Sequence, residues 1–256
     1  MSTSNSPTNR YGSLASEIYD IDKPLGKLPD TAFYLERLSG VRGEILEPGC
    51  GSGRAMVPLL DAGHSVTGFD LSDEMLAQCR ARCRAHGHEP DLSRQDFSSF
   101  RYDRSFAAAI IPAGTFTLIR EAQDALALLR RLRESLASGG LLMVDLMSLA
   151  LLARNADDRR SWTAPDGDLL TLESIRTRTD WIHQVTDYSI RYERWRDNRL
   201  VASQLEPMTQ RYWGVLEFRL ALETSGFDVR AVTPDYRSGA ALTESARVLT
   251  FEAAAA

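Results

Sequence analysis

Between about residue 30 and residue 147, short apolar runs alternate with longer segments of helical spacing, and few folds accommodate that rhythm. Strands that recur after each helix must return in the same direction, which predicts a parallel sheet covered by helices on both faces. The strand candidates are Glu44 to Glu47, Ser65 to Asp70, Asp91 to Arg94, Phe106 to Ile111 and Leu141 to Asp145. The helical segments run from about Thr31 to Leu38, then Ser52 to Asp61, Ser72 to Ala85 and Ala122 to Leu136. In the last of these, Ala125, Leu128, Leu129, Leu132 and Leu136 form one apolar stripe, and Gly139 with Gly140 is expected to end it.

After Asp145 the rhythm changes. Residues 162–213 are rich in Thr, Tyr, Trp, Ile, Arg and Glu, with turn signals at Pro165, Asp166 and Gly167 and again at Asp197 and Asn198. They read as three antiparallel strands, roughly Leu169 to Thr179, Trp181 to Trp195 and Arg199 to Tyr212. The four tryptophans, at 162, 181, 195 and 213, all fall here, so this small sheet is expected to cover something. A helix from Val215 to Ser225 follows, stopped by Gly226, and then two strands near Asp228 to Thr233 and Ala246 to Glu252. The expected class is α/β: a Rossmann-like, doubly wound, mostly parallel seven-stranded sheet with a small antiparallel β lid inserted after the fifth strand. Residues 1–10 read as a disordered N-terminus, 11–150 and 214–256 as the core, and 151–213 as the lid; the closing Ala253 to Ala256 carries no side-chain chemistry.

Composition removes several classes of function. With 30 basic and 35 acidic side chains the net charge is −5, which offers no broad footprint for a polyanion, and the clustered arginines are interleaved with acidic or apolar residues. Nucleic acid is therefore not an expected partner. Three cysteines make a disulfide framework improbable, the opening residues lack a signal peptide, and no run reaches the roughly 20 apolar residues that span a bilayer. A cytoplasmic location without membrane association is expected; a homodimer is compatible with the chain.

The first strand runs into Pro48, Gly49, Cys50, Gly51, Ser52 and Gly53. Glycines at alternate positions let the backbone turn tightly and set bare amides against a ligand. Asp70, at the tip of the second strand, is placed to accept from both ribose hydroxyls of a nucleoside. Dinucleotide sites show G-x-G-x-x-G, whereas this loop is E-x-G-x-G-x-G, with Glu47 at its head. A carboxylate there would repel a pyrophosphate but suits a ligand carrying an ammonium and a sulfonium.

Five segments in order, ILEPGCGSGR (Ile45 to Arg54), VTGFDLSDEML (Val66 to Leu76), QDF (Gln95 to Phe97), AAAIIPAGTFTLI (Ala107 to Ile119) and LASGGLLMVD (Leu136 to Asp145), resemble the motifs of class I S-adenosylmethionine-dependent methyltransferases. Ala15 to Lys23, with Tyr19, resembles the N-terminal segment that closes over the cofactor in small-molecule members. Arg211, Tyr212, Glu217 and Ser225 to Phe227 resemble the segment after the lid in bacterial enzymes related to aminosugar N-methyltransferases. The resemblance implies that Gly49, Cys50 and Gly51 line the methionyl end and that Glu47 orients its ammonium. It further implies that Asp70 holds the ribose, Leu71 and Met75 pack on the adenine, Asp96 accepts from the exocyclic amine and Phe97 offers a backbone amide. Ile111 and Pro112 would face the sulfonium. Many relatives carry a histidine shortly after this strand; here the residues are Gly114, Thr115, Phe116, Thr117 and Leu118, so no base carries over.

Methyl transfer from a sulfonium is an in-line displacement, for which alignment and exclusion of water suffice. A neutral amine attacks unaided, whereas a hydroxyl gains from a base, so the absence of an evident base leans toward nitrogen. The catalytic residue is left unassigned. Tyr188, Tyr192, His183 and Arg211 are the candidates, each with a structural explanation beside the functional one. Alternation along the middle lid strand sets His183 on the face of Val185 and Asp187, toward solvent, and Tyr188 and Tyr192 toward the cleft. Trp181, Trp195 and Trp213 complete an aromatic cover able to meet a cationic acceptor. Tyr11 and Tyr19 precede the core as further candidates for covering the cofactor. Cys79, Cys83, His86 and His88 imitate a metal motif but crowd one helix end, so no metal is expected. The expected activity is methylation of nitrogen or oxygen on a small molecule; the rivals are an RNA methyltransferase, a dinucleotide-dependent oxidoreductase and a catalytically silent cofactor-fold binding protein.

Overall fold

A computed structural model describes residues 12–153 and 157–256. The reading of residues 1–10 as disordered, and Tyr11, lie outside the described residues. Two helices open the chain, α1 (Ser13–Asp22) and α2 (Pro29–Leu38), followed by β1 (Ile45–Pro48), α3 (Met56–Asp61), β2 (Val66–Asp70), α4 (Asp73–Ala85) and β3 (Asp91–Arg94). Then come β4 (Phe106–Ile111), α5 (Ala122–Ser135), β5 (Leu136–Met147) and the four strands β6 (Asp158–Thr163), β7 (Leu169–Asp180), β8 (Val185–Arg196) and β9 (Arg199–Arg211). The chain closes with α6 (Val215–Thr224), β10 (Phe227–Pro234) and β11 (Val248–Ala255).

Seven strands form one sheet in the order β10-β11-β5-β4-β1-β2-β3, and β11 alone runs antiparallel to its two neighbours. Apolar residues of α2, α3 and α4, among them Tyr34, Met56 and Cys79, pack on one face. The α5 stripe and Phe218 and Leu222 of α6 pack on the other, which is the doubly wound arrangement expected from the alternating rhythm. Because crossovers reverse on either side of β1 and β4, a crevice opens at the carboxyl ends of those strands, where such sheets take their ligands. Among the described residues no helix is long and apolar enough to cross a membrane.

The second sheet, β6-β7-β8-β9, is antiparallel throughout. It holds four strands instead of the expected three, because β6 is DRRSWT, an exposed edge without apolar alternation that owes its form to pairing with β7. Its inner face, with Leu170, Leu172, Ile190 and Tyr192, packs on Leu14, Ala15 and Ile18 of α1.

Several expected boundaries move. The helix after the glycine turn starts at Met56, not Ser52, since Gly49, Gly51 and Gly53 all hold left-handed backbone, with φ of 68°, 54° and 83°. α5 ends at Ser135 and Leu136 is already extended, so Gly139 and Gly140 lie inside β5 and do not stop the helix. The strand expected from Trp181 begins at Val185, leaving Trp181, Ile182, His183 and Gln184 in the β7–β8 turn. Ala253 and Ala255 are buried in β11, where backbone pairing alone extends the strand past Glu252.

Candidate active site

The glycine loop owes its shape to β1 ending against β2. The amides of Gly49 and Cys50 both donate to the Phe69 carbonyl, at 2.8 and 3.0 Å, which turns the chain out of the sheet. A Cβ at Gly53 would lie 2.7 Å from Cys79 Sγ, so this glycine brings α4 close beneath the loop. One at Gly49 would meet Thr115 and Phe97, at 2.7 and 3.0 Å, which sets both side chains beside the loop. Cys50 contributes its backbone to the turn while its thiol is buried against Gly68.

Asp70 reaches across from β2. Its Oδ2 accepts the Gly51 amide at 2.9 Å and its Oδ1 accepts the Ser72 amide at 2.9 Å. Burial pushes this carboxyl above the usual range, while the Ser72 and Gly51 amides hold it down. Each oxygen retains a lone pair for a ligand donor. Ser72 caps α4 by accepting from the Met75 amide; Met75 is buried beside Gly51 and Leu71 stays exposed. Asp96 Oδ1 is engaged locally by the amide and hydroxyl of Ser98, at 2.8 and 2.6 Å, and the Phe97 ring meets Phe69 edge-on at 5.9 Å. Ile111 and Pro112 close β4 and are buried.

Glu47 is 1% exposed, and its Oε2 has no hydrogen-bond partner among the described residues. Burial pushes this carboxyl up to about 8 against the opposing charge of Arg54. Arg54 forms a buried ion pair with Asp30 of α2, yet Asp30 Oδ1 and Arg54 Nε also lack partners among the described residues. Three unsatisfied buried polar atoms around one loop mark a place where a polar ligand would complete the hydrogen bonding. The sequence spacing pointed to Glu47 but not to Asp30, whose partner lies 24 residues away.

α1 lies over this loop. Asp20 accepts from Ser52 Oγ at 2.6 Å and pairs with Arg82 at 2.8 Å, and Tyr19 bonds to Arg54. On its other side the Gly12 amide donates to Glu206, the Leu14 amide to Gln204, and Arg194 pairs with Glu17. The helix thus ties the glycine loop to the inner face of the small sheet.

The catalytic candidates separate. His183 stands in the β7–β8 turn and bonds to Asp180 at 3.0 Å, so the strand-face argument made for it does not apply. Tyr192, expected to line the cleft, is packed beneath α1 instead. Tyr188 is half-buried and its hydroxyl meets that of Tyr212 at 3.0 Å, with Tyr212 bonding on to Gln210 at 3.2 Å. Arg211 pairs with Glu217 at 2.9 Å and donates to the His183 carbonyl, fixing the turn to the start of α6. Trp213 belongs to the main core between Phe116 and Phe218 and not to the lid, because it follows the last residue of β9. Trp181, by contrast, is exposed at the turn. Cys79 and Cys83 are core residues, and His86 and His88 bond to Asp61 at 2.9 and 2.8 Å.

Residues 45–140 match the family model described as a methyltransferase domain. A putative methyltransferase, YqeM of Bacillus subtilis (strain 168), is 25% identical over 84% of this chain and 85% of its own length. Residues 45–140 thus carry a methyltransferase domain, and the chain is similar to class I S-adenosylmethionine-dependent methyltransferases. Two solved structures share this fold. An S-adenosylmethionine-dependent methyltransferase from Clostridium acetobutylicum ATCC 824 superposes with a TM-score of 0.77 at 19% identity, covering 93% of this chain and 96% of its own. CalS10, a cofactor-bound amino pentose methyltransferase from Micromonospora echinaspora involved in calicheamicin biosynthesis, superposes at 0.72 and 19% identity over 97% and 99%.

Proposed function

We propose that this methyltransferase transfers a methyl group to a nitrogen or oxygen of a small molecule by in-line displacement, with nitrogen favoured. The observation that carries the reading is the buried Glu47 carboxyl beside three left-handed glycines, with its Oε2 lacking a hydrogen-bond partner among the described residues. S-adenosylmethionine supplies there a methyl group already activated as a sulfonium. Glu47 meets the ammonium of its amino-acid end, and Gly49, Cys50 and Gly51 give that end room and amides. Asp70 uses its remaining lone pairs on the ribose; Leu71 and Met75 pack on the adenine, with Asp96 and the Phe97 amide at its edge. Ile111 and Pro112 wall the sulfonium side, and α1, with Tyr19, closes the roof.

Residues 11–150 and 214–256 act as the cofactor-binding core, and 151–213 cover the acceptor. The lid keeps water from the line of attack, and Tyr188 is the hydroxyl assigned here to orienting the acceptor. A nucleophile needs only its lone pair on that line, so an amine that arrives neutral requires no base. The net charge of −5 supports a small acceptor over a polyanion, and the fold shared with an amino pentose methyltransferase supports an amine. Incubating the protein with S-adenosylmethionine and panels of amines, phenols and carboxylates, with mass spectrometry for a gain of one methyl, tests this. Cofactor binding with transfer only to phenols or carboxylates would refute the preference for nitrogen, and transfer to no small acceptor would refute the acceptor reading; no cofactor binding would refute the site.

A further inference from the structure

Asp145 lies near the end of β5 with no exposed surface, and its hydrogen-bond partners among the described residues are neutral donors. Its Oδ1 accepts from Thr250 Oγ1 at 2.6 Å, directly across the β5–β11 register. Its Oδ2 accepts from the Ala113 amide and from Tyr236 Oη, both at 2.8 Å, and Tyr34 of α2 also faces it. Ala113 and Tyr236 each hold left-handed backbone, φ 59° and 60°, which a residue with a Cβ adopts only when its surroundings impose it. Asp30 and Arg54 act on Tyr236 from the cofactor side. Burial pushes Asp145 up to about 6 despite these donors. A buried anion held by neutral donors is costly, and a neutral side chain would serve the same junction if only hydrogen bonds were needed.

The partner it holds is the clue. Ala113 follows Pro112, which the reading above assigns to the sulfonium side, and the present inference rests on that reading. We propose that Asp145 is a specificity-determining residue for the cofactor, its carboxylate standing one peptide behind the Pro112 wall and favouring the charged sulfonium over the neutral thioether left by transfer. When the methyl group moves to the acceptor, the electron pair of the broken carbon–sulfur bond stays on sulfur, and the attraction to Asp145 ends. Substrate is then held more tightly than product, which speeds product exchange. At an effective dielectric near 20, a tenfold preference in Kd corresponds to a charge separation of about 12 Å.

The test is calorimetric titration of the full chain with S-adenosylmethionine and with S-adenosylhomocysteine, for the unaltered protein and Asp145→Asn. The asparagine oxygen can accept from Ala113 and Tyr236 while its amide donates to Thr250 Oγ1, so the junction keeps its bonds and loses its charge. We expect the Kd for S-adenosylmethionine to rise about tenfold and that for S-adenosylhomocysteine to change less than twofold. In the unaltered protein the ratio of the two Kd values should shrink from pH 7.5 to pH 5. Glu47 cancels in that ratio because both ligands carry the ammonium. Parallel changes for both ligands in Asp145→Asn, or a pH-independent ratio, overturn the proposal; the pH series decides alone if Asp145→Asn does not fold. If the unaltered protein binds neither ligand, the cofactor reading falls first.

Discussion

Replacing Glu47 by glutamine should stabilise the ligand-free protein and weaken cofactor binding together. In the folded chain this carboxyl is pushed from 4.5 up to about 8 by burial. The native state therefore keeps a proton that the unfolded chain has released, and stability falls as pH rises from about 4.5 to about 8. At roughly 1.36 kcal/mol per pKa unit, that displacement sets a ceiling of about 5 kcal/mol on the loss. Glutamine fills nearly the same volume without a charge to desolvate. At pH 8 Glu47→Gln should melt higher than the unaltered protein, by about 2–4 °C for each 1 kcal/mol recovered in a chain of this size. The advantage should vanish at pH 4.5, where both side chains are neutral. S-adenosylmethionine should bind at least tenfold more weakly to the variant, because a charge-assisted hydrogen bond is worth about 1.5–3 kcal/mol. Scanning calorimetry across pH and titration calorimetry at pH 8 read the two effects. A variant that melts lower than the unaltered protein at pH 8, or one with unchanged affinity, would refute the assignment of a destabilising buried carboxyl at the ammonium site.

Asp70→Asn should keep the fold, losing about 1–3 kcal/mol because one of the two amides it serves at Gly51 and Ser72 loses an anionic acceptor, and should weaken cofactor binding more than tenfold. Urea melts and cofactor titration check it. Gly53→Ala should destabilise the protein by about 2 kcal/mol or more, since φ is 83° and the new methyl would lie 2.7 Å from Cys79 Sγ, and Cys79→Ala should recover part of the loss. Trp213→Ala should cost roughly 3–5 kcal/mol in a denaturant melt, as a core substitution; a change within 1 kcal/mol would return this residue to the lid.

The two ends of the chain differ in how far local spacing could reach. The glycine turn and Asp70 were legible because backbone conformation and strand ends leave a residue-by-residue signature. The lid was harder. β6 has no apolar alternation and exists through its neighbour, and His183 shifted from strand to turn because Gln184, with φ 56°, reverses the chain one residue before β8. Trp213 sits beyond β9, where composition groups it with the lid but burial joins it to Phe116 and Phe218.

Sequence by itself determined the parallel sheet, the bend after β1 and the acid ending β2, since periodicity and glycine spacing act over a few residues. Tertiary structure alone decided that Glu47 would be buried with its Oε2 lacking a hydrogen-bond partner among the described residues and that Arg54 would turn to Asp30. It alone brought Ala113, Tyr236 and Thr250, up to 105 positions away, onto Asp145. Burial and charge pairing depend on which distant segments fold against one another, and no local pattern encodes that.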